Sequence, residues 1–304
     1  ASGDYGAAFD RAVELADWKG FEGRRTEARR RGRYRGIGIA NYLELNTGDP
    51  RERAHVTVRP EGRIDVILGT LSSGQGHATS FAQLLVEWFG VPLADVRLIT
   101  GDTDVTVTGG GAHTARALRL AAIVMAKASD QIVDKGRRIA ARLLEAAEED
   151  IEFSARCFRV KGTNRAVDLY EVAAAADGPL DGLSDEVTTP PSFPYGCAVC
   201  EVEVDPDTGV VDVVRYTTVD DCGRAVNPMI LHGQTHGGIA AGVGQALMGL
   251  CHHDPATGQT SSATFLDYAI PRADQLPPFH TEISEVPSTS NPLGLRGGGE
   301  GGTT

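Results

Sequence analysis

A single carboxylate stands on a glycine backbone near the end of the chain, in the stretch Glu285-Val-Pro-Ser-Thr-Ser-Asn-Pro-Leu-Gly-Leu-Arg-Gly-Gly-Gly-Glu300. Glycine has no side chain and permits backbone angles that other residues resist, so Gly297, Gly298 and Gly299 would let a ligand come close to Glu300. A general base needs such access to the proton it removes. Taken alone, the segment is more typical of a solvated glutamate in a flexible glycine-rich tail.

A second glycine-rich segment, Ser72-Ser-Gly-Gln-Gly-His-Ala-Thr79, follows a strand-like run from Arg63 to Leu68. Apolar residues at helical spacing come next and end at Gly90. The glycines therefore lie at a strand-to-helix junction, where backbone N–H groups favour an anion such as a phosphate, and Gln75 can both donate and accept hydrogen bonds. The segment matches neither the dinucleotide fingerprint nor the P-loop, so alone it is a weak indication.

The same order of elements recurs later in the chain. A hairpin pattern from Cys200 to Val214 precedes the polar segment Val219-Asp-Asp-Cys-Gly-Arg-Ala-Val-Asn-Pro228 and a glycine-rich helical segment, just as a hairpin pattern from His55 to Val66 precedes the first loop. Two hairpins thus each lead into a polar loop and a helix, which predicts an α+β fold. Such units are also common in α+β proteins of unrelated function.

Breaks in the sequence predict how the chain is divided. Residues 1–32 form a helix from Tyr5 to Trp18 and a charged connector, 33–176 a first α+β unit, 177–194 a linker rich in Asp, Gly, Pro and Ser, and 195–304 a second α+β unit. We therefore predict two α/β units, each with a hairpin-loop-helix arrangement. Clefts at domain boundaries commonly hold ligands, so the cofactor site is expected between the units.

Composition excludes several partners. With 304 residues and 41% hydrophobic content the chain can bury a substantial core, and its net charge of −12 argues against nucleic acid or an anionic membrane as partner. One basic run exists, and a solvated or subunit-facing role is expected for it. Its members are Arg24, Arg25, Arg29, Arg30, Arg31, Arg33 and Arg35. No stretch approaches the roughly 20 apolar residues of a membrane helix.

The five cysteines are an odd number and are scattered, so they do not form a disulfide framework and they indicate a cytoplasmic protein. Cys197 and Cys200 resemble a metal-binding pair. They lie in a strand pattern whose alternation places residues three apart on opposite faces, so we do not expect them to bind one metal.

Taken together and in order, these segments resemble the second molybdenum-binding region of the molybdenum-binding subunit of the xanthine dehydrogenase, aldehyde oxidase and carbon monoxide dehydrogenase family. The resemblance spans roughly residues 33–304. It is carried by Gly74-Gln-Gly-His77, the stretch from Gly90 to Asp104, Gly109-Gly-Gly-Ala-His-Thr-Ala-Arg116, the stretch from Val219 to Met229, Gly233-Gln234, Asn291-Pro-Leu-Gly-Leu295 and Gly297-Gly-Gly-Glu300.

The resemblance implies a role for each matching position. Glu300 would be the general base beside the metal. The pterin of the cofactor would be held by Gly74, Gln75, Gly76 and His77. The apical side of the metal would be lined by Gly110, Gly111, Ala112 and His113. The dinucleotide tail would be held by Cys222, Asn227 and Gln234. No residue of the chain is implied as a metal ligand.

The sequence leaves the pKa of the base open. A useful base has a pKa near the working pH. Burial against the cofactor would raise the pKa of Glu300, whereas the nearby Arg296 would lower it.

The resemblance also implies cofactors, a reaction and partners. The cofactor would be molybdopterin in its cytosine dinucleotide form with molybdenum, and iron–sulfur clusters and FAD would be on partner chains. The reaction would oxidise an aldehyde, an N-heterocycle or a similar small substrate with water as the oxygen source. The other half of the family's molybdenum subunit would complete the pocket, so the chain is expected to be a half-subunit or fragment with an incomplete site.

One alternative stays open. The chain could be a non-catalytic cofactor-binding or assembly scaffold of the same fold. The absence of the other half favours it, and so do Ala115 and Ala117, which stand where serines are frequent in the family.

Overall fold

Each of the two units of the chain is organised around a four-stranded sheet. The computed structural model describes residues 3–46, 48–188 and 192–303. The first unit comprises Ala1–Asn46, Ser192–Thr289 and Arg296–Thr304, and the second comprises Thr47–Pro191 and Ser290–Leu295. Each unit is therefore built from stretches that are distant in sequence.

The chain combines helices with mostly antiparallel strands, as an α+β fold predicts. The helices are α1 (Tyr5–Leu15), α2 (Phe21–Arg30), α3 (His77–Phe89), α4 (Arg116–Leu143), α5 (Leu169–Ala174) and α6 (Pro228–Leu247). The strands are β1 (Tyr34–Leu43), β2 (Arg51–Arg59), β3 (Arg63–Leu68), β4 (Val96–Ile99), β5 (Ile151–Ser154), β6 (Cys157–Val160), β7 (Ala166–Asp168), β8 (Leu180–Val187), β9 (Tyr195–Val204), β10 (Val211–Asp221) and β11 (Phe279–Ser284).

The first unit contains a four-stranded sheet in the order β1-β9-β10-β11. On one face, Ala8 and Ala12 of α1 form a buried cluster with Cys197 of β9. On the other face, Ile239 of α6 belongs to a second cluster against which Cys200 packs. The two cysteines therefore lie on opposite faces of β9, which confirms the prediction from strand alternation.

The second unit contains the sheet β4-β3-β2-β8 and a smaller sheet, β5-β6-β7. The long helix α4 packs on β2 and β8, while α3 packs on β4 and α4. Gly182 of β8 allows the close contact with α4, since a Cβ at this position would lie 1.9 Å from the carbonyl oxygen of Ala128. This contact brings the helix backbone directly onto the sheet.

The hairpin-loop-helix repeat is present in both units. In the second unit, β2 and β3 pair antiparallel and lead through a glycine-rich loop to α3, which starts after Gly76 and is capped at its C-terminus by Gly90. Both glycines have a positive φ, which glycine adopts without strain. In the first unit, β9 and β10 pair antiparallel and lead to α6.

The structure differs from the predicted boundaries in two places. Residues 177–194, predicted as a linker, contain β8, which pairs along its length with β2. Asp181 and Asp185 lie on one face of this edge strand and bind Lys135 and Arg51, respectively, whereas Gly182 lies on the opposite face. Residues 189–191 lie outside the described part of the chain.

The second difference concerns the start of the chain. Strand β1 was predicted to begin the unit of residues 33–176, but it pairs antiparallel with β9 and so joins the residues after 192. Helix α1 ends at Leu15, three residues before the predicted Trp18, and packs on β9 and β10. Long-range strand pairing therefore overrides the boundary that composition predicted.

The arginine run is partly structural, which corrects its predicted solvated role. Arg24 and Arg35 both pair with Glu201, whose side chain is only 1% exposed. Arg31 and Arg35 pair with Glu203 on the same strand. These arginines neutralise two buried carboxylates of β9, which would otherwise carry a large desolvation cost.

Candidate active site

A buried arginine fixes the start of the glycine loop that carries Glu300. Arg296 is 1% exposed, and its Nε lies 3.0 Å from Oδ1 of the equally buried Asp221. The guanidinium also donates to the backbone carbonyls of Val286 and Pro287. Because Asp221 balances the charge of Arg296 and backbone carbonyls accept from its guanidinium, this ion pair fixes the backbone at the start of the loop.

The loop then passes close to two residues that the sequence predicted as cofactor contacts. A Cβ on Gly298 would lie 3.2 Å from Cβ of Cys222, and one on Gly299 would lie 3.2 Å from Cβ of Gln234. Gly299 has a φ of +112°, a conformation that other residues rarely adopt. The structure therefore brings Cys222 and Gln234 to the loop of Glu300.

The loop also closes one side of a small pocket inside the first unit. The pocket is lined by Tyr42, Glu44, Pro194, Asp220, Asp221, Cys222, Leu231, Thr235, Ile283, Gly298, Gly299, Gly301 and Gly302. Tyr42 donates its hydroxyl to Oδ1 of Asp220 at 2.6 Å, and burial raises the pKa of both groups. Gly301 fits against this pair because a Cβ there would lie 2.2 Å from Oη of Tyr42.

Glu44 brings a second carboxyl to Glu300. It follows β1, and its backbone N–H donates to the carbonyl of Pro194 at 3.0 Å. Burial, a hydrogen bond with the Glu300 side chain and the charge of Glu300 together raise the pKa of Glu44 to about 8. A hydrogen bond between two carboxyls requires a proton on one of them, and the raised pKa of Glu44 favours the proton on Glu44. Its Oε1 is buried and has no hydrogen-bond partner among the described residues.

In the second unit, the Gly-Gln-Gly segment lies directly before α3, as the sequence predicts. Gly74 has a φ of +116°, and a Cβ there would meet no atom within 4 Å, so the loop is open at this point. Oε1 of Gln75 accepts the backbone N–H of Ser73, so part of this side chain is used within its own loop. The first N–H groups of a helix have no partner within it and remain suited to an acceptor.

His77 begins α3 and is 6% exposed. Its ring stacks on Phe81 with centroids 4.8 Å apart, and its Nδ1 has no hydrogen-bond partner in the described part of the chain. Burial lowers the pKa of His77 to about 4, so the imidazole is neutral at physiological pH. A neutral ring with one nitrogen unused has hydrogen-bonding capacity left for a ligand.

The glycine loop before α4 is also fixed by a buried arginine. Nη1 of Arg116 lies 3.1 Å from Oε2 of Glu52, and both side chains are at most 1% exposed. Arg116 further donates to the backbone carbonyls of Asp49, Arg51 and Gly111. The guanidinium therefore joins the start of β2 to the predicted apical loop.

The other predicted residues of this loop differ in exposure. A Cβ on Gly110 would lie 2.6 Å from Cζ of Arg116, so only glycine fits over the guanidinium. His113 is exposed, and its Nε2 lies 2.9 Å from the carbonyl oxygen of Gly110. Gly111 and Ala112 are half-buried. The loop thus presents backbone and one imidazole, and no carboxylate.

Asn227 has a structural function in the first unit. Its Oδ1 accepts the backbone N–H of Ile230 at 3.0 Å, and Pro228 follows at the first helical position. Both features are typical of a helix N-terminus, so Asn227 caps α6. Its contact with a dinucleotide tail stays a prediction.

Sequence reasoning missed Glu44 and the Tyr42–Asp220 pair. Asp220 lay inside a segment that was singled out, but nothing in the sequence connected it with Tyr42. Glu44 stands just after a strand, where an acidic residue is ordinarily solvated. The only indication that the sequence held for Glu44 was its position at the end of a strand, before a turn.

In the ranges 3–46, 48–188 and 192–303, no group of three or more His, Cys, Asp or Glu residues could hold a metal ion. Within the same ranges, no helix has the length and apolar content needed to cross a membrane.

Residues 11–277 match the family described as "Molybdopterin cofactor-binding domain". The chain is 31% identical to the carbon monoxide dehydrogenase large chain of Afipia carboxidovorans, over 98% of this chain and 40% of that protein. It is also 31% identical to the nicotine 6-hydroxylase large subunit of Paenarthrobacter nicotinovorans, over 99% of this chain and 40% of that subunit. The chain therefore spans about 40% of the length of these curated relatives.

A solved structure agrees with these matches. Quinoline 2-oxidoreductase from Pseudomonas putida 86 superposes with a TM-score of 0.89 at 31% identity, covering 99% of this chain and 41% of that one. The similarity extends over both units, because nearly the whole chain is covered.

Proposed function

Since the chain belongs to the molybdopterin cofactor-binding domain family, we propose that it is part of a molybdenum hydroxylase in which Glu300 is the general base. The observation that carries the proposal is the geometry of Glu300, a carboxylate at the end of a glycine loop fixed by the Arg296–Asp221 pair. The names of the relatives, which refer to carbon monoxide, nicotine and quinoline, support an oxidoreductase that acts on a small substrate.

The residues present fit a molybdopterin cofactor. A pterin ring has several hydrogen-bond donors and acceptors, and the buried Nδ1 of His77 has no partner among the described residues. Gly74 leaves open space beside its backbone, and Gln75 is next to it. The start of α3 is suited to a phosphate of the cofactor. We assign the pterin to Gly74–His77 and the apical side of the metal to Gly110–His113.

The dinucleotide is assigned to the first unit. We propose the cytosine dinucleotide form, held by Cys222, Asn227 and Gln234. Asn227 caps the N-terminus of α6, where backbone N–H groups favour an anion such as a phosphate. Cys222 is 5% exposed, so its contribution would be made through the backbone or through packing.

The chain's own residues supply acid–base chemistry and positioning. The cofactor, when bound, supplies the two-electron oxidation of the substrate. Glu300 takes a proton at its carboxylate from the water that provides the oxygen of the product. The backbone N–H and the hydroxyl of Thr303 donate to the carbonyl oxygen of Glu300, at 3.0 and 2.8 Å, and so fix the backbone of the base.

We propose further that the cofactor is held jointly with the other part of a molybdenum subunit. Electrons would leave through iron–sulfur and flavin centres on partner chains, in a cytoplasmic complex. The five cysteines are unpaired, which supports a reducing compartment. The substrate would be an aldehyde, an N-heterocycle or a similar small molecule.

Replacing the base tests the proposal in the complete complex. Glu300→Gln should lower kcat roughly a hundredfold to ten-thousandfold, the usual contribution of a general base, while molybdenum content stays near that of the parent. Glu282→Gln is the matched control, because Glu282 is an exposed partner of Arg11 that does not line the pocket. Activity of the Glu300 variant within about twofold of the parent would contradict the assignment.

A further inference from the structure

Glu300 is accompanied by a carboxyl that the proposed function does not use. Glu44 lies on the wall of the pocket, half-buried, and its side chain is hydrogen-bonded to that of Glu300. A carboxylate has no donor, so a hydrogen bond between two carboxyls requires that one of them holds a proton. The pair therefore contains one acid and one base.

The difference in burial between Glu44 and Glu300 indicates which of the two carboxyls holds the proton. Glu44 follows β1 and is held by the bond from its backbone to Pro194, whereas Glu300 is exposed at the end of its loop. Burial disfavours the charged form of a carboxyl, so the proton resides on Glu44 and the charge on Glu300. The Glu300 carboxylate stays exposed and able to accept a further proton.

We propose that Glu44 is a positioning residue for Glu300, and that its protonated carboxyl donates the hydrogen bond that orients the base toward the reacting water. The inference rests on the proposed role of Glu300 as general base. Glu44 itself does not touch the substrate in this scheme. It keeps its proton through turnover, and the proton removed from water is received by Glu300 alone.

The hydrogen bond between the two carboxyls predicts that Glu300 loses its fixed orientation at high pH. When Glu44 ionises, at a pH near 8, the donor disappears and two neighbouring carboxylates repel each other. The base then loses its fixed orientation, and catalysis depends strongly on such orientation. A fall of kcat above pH 8 should therefore report Glu44.

Other titratable or charged groups lie around the pocket that Glu44 lines. The titratable or charged groups are Tyr42 on β1, Asp220 and Asp221 on β10, Cys222 after it, His232 on α6, and Arg296 and Glu300 on the glycine loop. Asp221 is paired with Arg296, Tyr42 with Asp220, and burial raises the pKa of Cys222 to about 12. From α6 and β11, Leu231, Thr235 and Ile283 line the pocket and do not titrate.

Two variants separate the hydrogen bond from the titration. In the complete complex, Glu44→Gln keeps a donor that cannot ionise, so kcat at pH 7 should stay within about threefold of the parent and the fall above pH 8 should disappear. Glu44→Leu removes the donor, so kcat should fall roughly tenfold to a hundredfold, the usual effect of losing a hydrogen bond to a charged group. KM should change by less than about twofold in both variants, since Glu44 does not bind the substrate.

A second readout does not depend on turnover. Infrared difference spectra of the complex, recorded as parent minus Glu44→Gln across pH 6 to 10, should show a protonated carboxyl band that is lost near pH 8. The same band should shift to lower pH in Glu300→Gln, because the neighbouring negative charge is gone.

The outcomes distinguish the two proposals. If Glu300→Gln is inactive but Glu44→Leu keeps full kcat and the alkaline fall, the positioning role is wrong and the base assignment stands. If Glu300→Gln retains activity, the base assignment is wrong, while the infrared titration still decides whether the two carboxyls share a proton. Absence of the carboxyl band in the parent at pH 6 would overturn the pair itself.

Discussion

Two glycine-rich loops, one in each unit, are fixed in the same way and present different chemistry. The loop of residues 297–299 follows Arg296, which pairs with the buried Asp221. The loop of residues 109–111 precedes Arg116, which pairs with the buried Glu52. In both, other N–H groups of the guanidinium donate to backbone carbonyls, so each glycine-rich loop begins or ends at an arginine that is held in place.

The loops differ in what they carry. The loop after Arg296 leads to Glu300, which has Glu44 beside it and can take up a proton. The loop before Arg116 has the exposed His113, whose ring bonds the carbonyl of Gly110. Glycine content and anchoring are therefore common to both loops and do not identify the catalytic one. The distinguishing feature is a carboxylate at the end of the loop with a proton donor next to it.

The largest effect is expected from removing either anchor. Arg296→Met and Arg116→Met should each lower the free energy of unfolding by about 3–5 kcal/mol, because each leaves a buried carboxylate without its partner. Urea denaturation of the purified chain measures this. Arg25→Met is the control, since Arg25 pairs with Glu22 at the surface and should change stability by less than about 1 kcal/mol. A large effect at only one of the two arginines would show that the loops are not anchored alike.

A smaller effect is expected from the glycines themselves. Gly299→Ala should cost about 3 kcal/mol, because φ is +112° and the new Cβ would lie 3.2 Å from Gln234. Gly111→Ala should cost about 1 kcal/mol, since φ is +75° and no atom lies closer than 3.9 Å to its Cβ. Gly6→Ala in α1 is the control and should be neutral or stabilising. Thermal unfolding would contradict the comparison if the first two variants lost equal stability.

A third comparison concerns the pH dependence of stability, whose sign should differ between the units. The pKa of Glu44 is raised to about 8 in the folded chain, so the folded state binds a proton that the unfolded state lacks, and stability falls as pH rises from about 4.5 to 8. The pKa of His77 is lowered to about 4, so stability is lost as pH falls from about 6.5 to 4.

Two non-titrating variants check this difference. Stability is measured by the urea midpoint across pH 4 to 8. The decline of the midpoint as pH rises above about 4.5 should disappear in Glu44→Gln, and the decline as pH falls below about 6.5 should disappear in His77→Gln. Identical pH profiles for the parent and Glu44→Gln would mean that Glu44 has the same pKa in the folded and unfolded states.

Local patterns predicted much of the fold. The run from Arg63 to Leu68 is a strand with the predicted bounds, α3 is capped at its C-terminus by Gly90, and the hairpin-loop-helix repeat is present in both units. These features depend on alternation, helical spacing and glycine at helix ends, which act over a few residues. The placement of β1 beside β9 and the strand within residues 177–194 were not predicted, because they depend on pairing between distant segments.

The sequence by itself determined the carboxylate on its glycine loop, the Gly-Gln-Gly helix start and the membership of the family, since these depend on residue types and their order. Tertiary structure alone decided that Asp221 would balance Arg296 and that Glu44 would stand beside Glu300. Glu44 reaches Glu300 because β1 pairs with β9, which in turn pairs with β10. Such pairings follow from the burial of whole sheet faces, and no short stretch of sequence specifies that burial.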